Sequence, residues 1–327
     1  MSDKSGPDGP VAGGAGPGTC DVKTGTAQPN AEPILTLADL RRRAFAGTPL
    51  AVLGHPIAHS LSPRMHNAAL SRLAERDFRF SAWRYHRFDI PPAELPEALR
   101  LLGERGFAGV NLTVPHKVLA CELVAEIAPE ARSVGAVNTL QRTAAGWFGY
   151  NTDGYGLSAG LRSSLGGALG GRPVILLGAG GAARGAAVEC LAQGCLSLHI
   201  GNRTPENLAA LLALLRPLAG GIPVEGFDPT RPPDSLPSGA WVVNATSSGL
   251  HPGDGAPIDA ATLPRPAGVY DMIYHPPETP LLRRARELGI PAANGLGMLV
   301  RQGAKALEIW SGASADETAP WMAAALA

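Results

Sequence analysis

The residues best suited to hold a nucleotide lie in Val174-Ile175-Leu176-Leu177-Gly178-Ala179-Gly180-Gly181-Ala182-Ala183-Arg184-Gly185, an apolar strand that breaks into glycines and runs on into an alanine-rich helix. Gly178 allows a tight turn, Gly180 lets a pyrophosphate approach the backbone, and Ala183 is small enough for helix and strand to pack closely. A helix opening near Gly181 turns free N–H groups and its positive end towards the phosphates. The same glycines also suit an ordinary strand-to-helix turn. After a second expected strand, 196–200, comes Gly201-Asn202-Arg203-Thr204. A fold that prefers NAD carries Asp or Glu here for the ribose 2'-hydroxyl. Arg203 instead fits a 2'-phosphate through paired, charge-assisted hydrogen bonds, which favours NADP. The alternative is that Thr204 N-caps a helix with Pro205 at its first position and Arg203 is a solvated charge.

A second set of polar residues stands where strands should end. In Gly54-His55-Pro56-Ile57-Ala58-His59-Ser60-Leu61-Ser62-Pro63, Ser62 and Pro63 form a good helix N-cap and N1 pair. Two hydroxyls two residues apart at a helix N-terminus also suit a substrate carboxylate, each giving one donor. Asn111-Leu112-Thr113-Val114-Pro115-His116-Lys117 puts Asn, Thr and Lys at the exit of a buried strand, out of keeping with a plain core. Lys117 on a new helix can equally point to solvent, and His116 reads as structural. Asn138 and Asp153 fall in short glycine-bounded stretches, 135–139 and 149–154, where turn formation accounts for either.

The elements that must position these residues follow from the pattern around them. Strands are expected at 50–53, 80–88 and 107–114, alternating with helices at 63–74 and 93–105. That alternation implies a mostly parallel sheet covered on both faces, with ligands at the carboxyl ends of its strands. With 327 residues, 45% of them hydrophobic, the chain can form two domains with proper cores. Its 28 basic and 28 acidic residues balance, so no broad electrostatic grip on nucleic acid or membrane is expected, and a small-molecule partner is. Cys20, Cys121, Cys190 and Cys195 show no metal-ligand spacing and read as reduced thiols of a cytoplasmic protein, with no metal implied. Residues 1–33, rich in Gly, Pro, Thr and Ser, are expected to be a disordered tail without the features of a signal or transit peptide. No apolar run approaches a membrane span.

Taken together, Ser60-Leu61-Ser62-Pro63, Asn111 to Lys117, Ala136-Val137-Asn138-Thr139 and Asn151-Thr152-Asp153-Gly154 resemble the shikimate dehydrogenase family, in which they precede a GAGGA turn and an NRT segment, as here. The likeness continues through Asn244-Ala245-Thr246-Ser247-Ser248-Gly249, Asp271-Met272-Ile273-Tyr274 and the stretch from Asn294 to Gly303, covering the chain from about Leu50 to Trp310. It implies an N-terminal open α/β substrate domain (47–153 with 295–327) and a Rossmann-like NADP-binding domain (154–294), the C-terminal helices returning to the first. The strands of the second domain are expected at 196–200, 223–227, 241–244 and 268–273.

Members of the family reduce 3-dehydroshikimate to shikimate with NADPH, reversibly, on the route to chorismate and aromatic amino acids. The resemblance puts the substrate carboxylate on Ser60 and Ser62 with Tyr274 nearby. Thr113, Lys117, Asn138, Asp153 and Gln302 would surround the ring hydroxyls, Lys117 and Asp153 forming the catalytic pair. Cofactor contacts are implied for Gly178, Ala179, Gly180, Gly181 and Ala182, for Asn202, Arg203 and Thr204, for Gly295 and Met298, and for Asn244, Thr246 and Ser247, although the last three also suit a plain Ser/Thr turn. The chemistry is consistent: hydride transfer to a ketone creates an alkoxide, which needs a proton and a nearby positive charge. In the oxidative direction the lysine must be neutral, so shikimate oxidation is expected to accelerate as pH rises. Asn207 stands where NADP-specific members often carry a second arginine, so discrimination against NAD is expected to be modest. Rival readings are a paralogue acting on quinate or aminoshikimate, a generic amino-acid or folate dehydrogenase, and a non-catalytic NADP-binding sensor. A monomer or a homodimer fits equally.

Overall fold

A computed structural model describes residues 32–327. The expected disorder of residues 1–33 therefore lies outside the described residues except at its last two positions. There Glu32 accepts a hydrogen bond on its backbone oxygen from Arg87 Nη2 at 2.8 Å, so it is anchored. In chain order the first sheet and its helices are β1 (Ile34–Leu35), α1 (Leu37–Arg42), β2 (Thr48–Gly54), α2 (Ser62–Ala74), β3 (Trp83–Asp89), α3 (Leu95–Glu104), β4 (Gly109–Leu112), α4 (His116–Leu119), β5 (Glu126–Ile127), α5 (Pro129–Val134), β6 (Thr139–Thr143), β7 (Gly146–Tyr150) and α6 (Asp153–Leu165). The second set is β8 (Pro173–Leu177), α7 (Gly181–Ala192), β9 (Ser197–Gly201), α8 (Pro205–Leu215), β10 (Val224–Phe227), β11 (Trp241–Asn244), β12 (Gly268–Asp271), α9 (Pro280–Glu287) and β13 (Ala292–Ala293), followed by α10 (Leu296–Ser311) and α11 (Ala315–Ala324).

The first sheet has the order β1-β3-β2-β4-β6-β7-β5. Its four leading strands are parallel, and β2 alternates between two cores: Ala51 and Leu53 pack on one face, Leu50 and Val52 on the other. Both faces are covered, as a parallel sheet requires. The expected mostly parallel sheet needs one correction. Residues 139–150 form an antiparallel hairpin, with β6 paired to β4 and to β7. Burial alternates along β7, with Trp147 and Gly149 inward, the period-two pattern of a strand. Two expected boundaries also move: 3-10 turns at Phe78–Phe80 and Pro92–Glu94 occupy the expected starts of β3 and α3.

The second sheet is wholly parallel, in the order β10-β9-β8-β11-β12-β13, the doubly wound arrangement with its switch point between β8 and β11. Val174 and Leu176 face the core beneath α6 and α7, while Ile175 and Leu177 face the core beneath α9. Helices α6 and α10 serve both sheets. Leu157 and Leu161 of α6 belong to the second sheet's core, and Val300, Ala304 and Leu307 of α10 to the first's. Their backbones pack closely because glycines face each other: a Cβ on Gly160 would lie 2.7 Å from the Met298 nitrogen.

Candidate functional site

Strand ends and helix starts converge on a cavity of about 320 Å³. Lys117 sits in the single turn of α4, and its backbone oxygen accepts from the Val137 N–H at 2.9 Å. Asp153 is the first residue of α6. Lys117 Nζ donates to Asp153 Oδ2 at 2.6 Å, with side chains 30% and 22% exposed. An ion pair this open to water contributes at most about 1 kcal/mol to folding.

The orientation of Asp153 is fixed from beneath. Asn138 Oδ1 accepts the backbone N–H of Thr152 at 2.8 Å, which leaves its Nδ2 to donate to Asp153 Oδ1 at 2.8 Å. Asp153 therefore offers Oδ2 to the lysine. One layer deeper, Tyr85 OH donates to Asn111 Oδ1 at 2.7 Å, and Asn111 Nδ2 donates to the Asn138 oxygen at 3.1 Å and to Thr139 Oγ1 at 3.0 Å. Burial pushes the Tyr85 hydroxyl well above its ordinary range, so it is a permanent donor and sets which way the Asn111 amide faces. Each buried amide has its partners, as such groups require.

Ser60 and Ser62 enter the same cavity from the start of α2. The expected N-cap shifts by one residue: Leu61 is the cap, Ser62 and Pro63 open the helix, and no side chain caps it. The Ser62 N–H instead points to Ser60 Oγ at 3.4 Å, which leaves the Ser60 hydroxyl proton free for a ligand. Thr113 has room because Gly54 has no Cβ; one there would lie 2.5 Å from Thr113 Cγ2. Tyr274 lines the cavity from beyond β12, with burial raising its hydroxyl pKa. Gln302 comes from α10, its Nε2 donating to the Leu299 oxygen at 2.9 Å and its Oε1 3.5 Å from Thr152 Oγ1.

The structure thus brings Ser60, Ser62, Thr113, Lys117, Asn138, Asp153, Tyr274 and Gln302 to one cavity, together with Gly295 and Met298. Asn111, His59, Met272 and Leu299 line it as well, none of them assigned a contact from the sequence. Asn111 is visible there as a polar residue in an apolar strand. The two apolar residues carry no signal that separates a cavity wall from a core. His116 is fully buried, as its structural reading expects, and desolvation lowers its pKa.

The remaining predicted residues stand at the carboxyl ends of the second sheet. Gly178 has φ +114°, a conformation that favours glycine, and a Cβ there would lie 3.1 Å from the Ala245 oxygen. Gly180 and Gly181 have open space where a Cβ would be, so the N-terminus of α7, whose first N–H groups lack intrahelical partners, is uncovered. Ala179 and Ala182 flank them. The turn suits a pyrophosphate on these grounds. Asn202 Nδ2 donates to the Thr204 oxygen at 2.8 Å, and Thr204 occupies the N-cap of α8 without a side-chain capping bond. Arg203 is exposed with no ion-pair partner among the described residues. Asn244 is fully buried and its amide is engaged, Nδ2 with Asp271 at 2.9 Å and Oδ1 with the Thr246 hydroxyl at 2.7 Å. It shapes the loop carrying Thr246 and Ser247 and presents no free polar group. Among the described residues there is no cluster able to hold a metal, and no helix is long and apolar enough to cross a membrane.

Two family models match the chain: the shikimate dehydrogenase substrate binding domain over residues 52–140 and the shikimate 5'-dehydrogenase C-terminal domain over residues 295–324. A shikimate dehydrogenase (NADP(+)) of Citrifermentans bemidjiense is 42% identical over 269 residues, 81% of this chain and 90% of the relative. Among solved structures, a ligand-free 5-ketofructose reductase of a Gluconobacter species superposes with TM-score 0.76 at 32% identity, covering 87% of this chain and 98% of that one. A shikimate 5-dehydrogenase of Thermus thermophilus, in complex with NADP(H) and shikimate, gives TM-score 0.72 at 34% identity, covering 85% and 99%.

Proposed function

We propose that this chain, which belongs to the shikimate dehydrogenase family, reduces 3-dehydroshikimate to shikimate with NADPH, reversibly, on the route to chorismate and aromatic amino acids. The observation that carries the reading is the Lys117–Asp153 pair, 2.6 Å apart, in a cavity that also holds the serine pair. The hydroxyls of Ser60 and Ser62, with Tyr274, hold the substrate carboxylate at the N-terminus of α2, where the helix dipole favours an anion. Thr113, Asn138 and Gln302 take the ring hydroxyls.

The bound nicotinamide supplies the hydride in one direction and accepts it in the other. Gly178, Ala179, Gly180, Gly181 and Ala182 hold the pyrophosphate, Asn202, Arg203 and Thr204 the adenosine end, and Thr246, Ser247, Gly295 and Met298 the nicotinamide half. Arg203, standing where a fold that prefers NAD carries Asp or Glu, favours NADP over NAD. Lys117 Nζ stands by the carbonyl oxygen, stabilises the charge that develops there and donates a proton to the alkoxide. Asp153 Oδ2 holds the ammonium and shares the substrate hydroxyl, while Asn138 keeps that carboxylate from rotating. Lys117, 30% exposed, is reprotonated from solvent. The partners are small molecules, the compartment is the cytoplasm, and the protein is a monomer or a homodimer.

The likeness to a 5-ketofructose reductase makes a neutral keto sugar the alternative substrate. Such a molecule has no carboxylate for the serine pair. The test is a substrate panel with purified protein: shikimate and quinate with NADP and with NAD, and 5-ketofructose with NADPH. Fastest turnover of shikimate with NADP is expected. Preference for quinate or 5-ketofructose, or for NAD, would overturn the corresponding part of the reading, and NADP binding without turnover of any substrate would make the chain a sensor.

A further inference from the structure

We propose that Arg231, on the loop after β10, joins Arg203 in clamping the 2'-phosphate of the cofactor's adenosine; the inference rests on the NADP reading above. A phosphate dianion is poorly matched by one guanidinium, and Asn207 adds no charge on the segment that carries Arg203. The topology supplies a second cation from a different strand. Strands β9 and β10 are parallel neighbours, with Gly201 paired to Phe227, so their ends lie about 4.8 Å apart. The Asn202 N–H donates to the Phe227 oxygen at 3.1 Å, which carries the ladder one step past the sheet and sends both loops out side by side.

The second loop turns at once. Asp228 Oδ1 accepts from the Thr230 N–H at 2.9 Å and from the Thr230 hydroxyl at 2.8 Å, and the Arg231 N–H donates to the Asp228 oxygen at 3.0 Å. A hydrogen-bonded turn of this kind keeps its ends within about 7 Å, so Arg231 stays beside the strand end. Arg203 and Arg231 are both exposed, and neither side chain has a hydrogen-bond or ion-pair partner among the described residues. Asp228 is held in its own loop by Thr230 and feels the Arg231 charge, which helps to lower its pKa, but makes no ion pair with it, and Glu225 faces His199 at 3.6 Å. Glu206, in the first turn of α8, opposes an anion there and makes a second cation more valuable. Two unpaired guanidiniums on adjacent loops, at the end of the second strand of a doubly wound sheet, match a phosphate on the adenosine ribose.

The test compares wild type, Arg231→Ala, Arg231→Lys and Arg203→Ala in two ways. Calorimetric binding of 2',5'-ADP against 5'-AMP reads the phosphate contact without catalysis, and kcat/KM with NADP against NAD reads its use. Arg231→Ala is expected to weaken 2',5'-ADP and to lower NADP kcat/KM by roughly 10- to 100-fold, with 5'-AMP and NAD changed less than about threefold and partial recovery in Arg231→Lys. Equal losses for phosphorylated and unphosphorylated ligands, or no loss at all, would overturn the proposal. Wild type that binds 2',5'-ADP tightly but oxidises no shikimate would count against the proposed reaction and leave the clamp to be judged on binding.

Discussion

At the residue scale, the ammonium of Lys117 has one anionic partner among the described residues, Asp153 Oδ2, and that oxygen is available because Asn138 takes the other. Asp153→Asn keeps the shape but removes the charge. It is expected to lower kcat with shikimate by roughly 10²-fold or more, as loss of an acid–base partner does, with a smaller change in KM, read by steady-state kinetics. Deeper in the network, Tyr85→Phe deletes the donor to the buried Asn111 amide. It is expected to cost about 1–3 kcal/mol in chemical denaturation, the range for an orphaned buried acceptor, and an unchanged midpoint would contradict the network. Lys117 stands out in the sequence as a charge at the exit of a buried strand, whereas Asp153, which turn formation alone would explain, is marked only by the family motif around it. The network beneath them is not legible there, because it depends on the register of β6 and β7, where Thr139 pairs with Tyr150 and brings Asn138 level with Thr152.

At the element scale, the cavity depends on how closely α6 and α10 approach. A Cβ on Gly156 would lie 2.7 Å from Gln302 Cβ and 2.9 Å from the Met298 oxygen, and that backbone atom cannot swing aside. Gly156→Ala is therefore expected to push α10 outward, costing about 1–3 kcal/mol of stability and raising KM for shikimate, because Gln302 leaves the cavity. Normal stability with normal KM would show that the helices yield without consequence. The loop bearing Ser60 has its own support: Arg87 Nη1 donates to the Ala58 oxygen at 2.6 Å while Nη2 holds Glu32. Strand and helix periodicity reveals β2, α2, β8 and α7 directly. The hairpin is hidden because the stretches at its two ends, 135–139 and 149–154, read as turns and the short run between them shows its alternating face only once the strands pair.

At the scale of the whole molecule, two sheets share one cavity because the chain leaves the first through α6 and returns through α10. The doubly wound second sheet is legible from its glycine turn and the strands that follow. That α10 closes the cavity comes from the motif around Gln302, since no periodicity shows which sheet a helix joins. The fold also has an acid weakness. His66 is fully buried against Tyr85, ring centroids 4.1 Å apart, with neither ring nitrogen hydrogen-bonded, and burial lowers its pKa to about 3 from 6.5. The folded pKa lies below the unfolded one, so this stability is present above pH 6.5 and is lost as pH falls towards 3. By pH 5 the loss from His66 is about 2 kcal/mol, and His66→Leu is expected to flatten that part of the profile when denaturation midpoints at about pH 7 and pH 5 are compared.

The most direct measurement is the initial rate of NADP reduction with shikimate for wild type and Lys117→Ala, each first shown by circular dichroism to be folded. The account predicts turnover by wild type that falls by roughly 10²- to 10⁴-fold in kcat in the variant while KM for shikimate changes only a few-fold. Wild-type turnover retained by Lys117→Ala would contradict it, because the group placed at the reacting oxygen would then have no part in moving the proton.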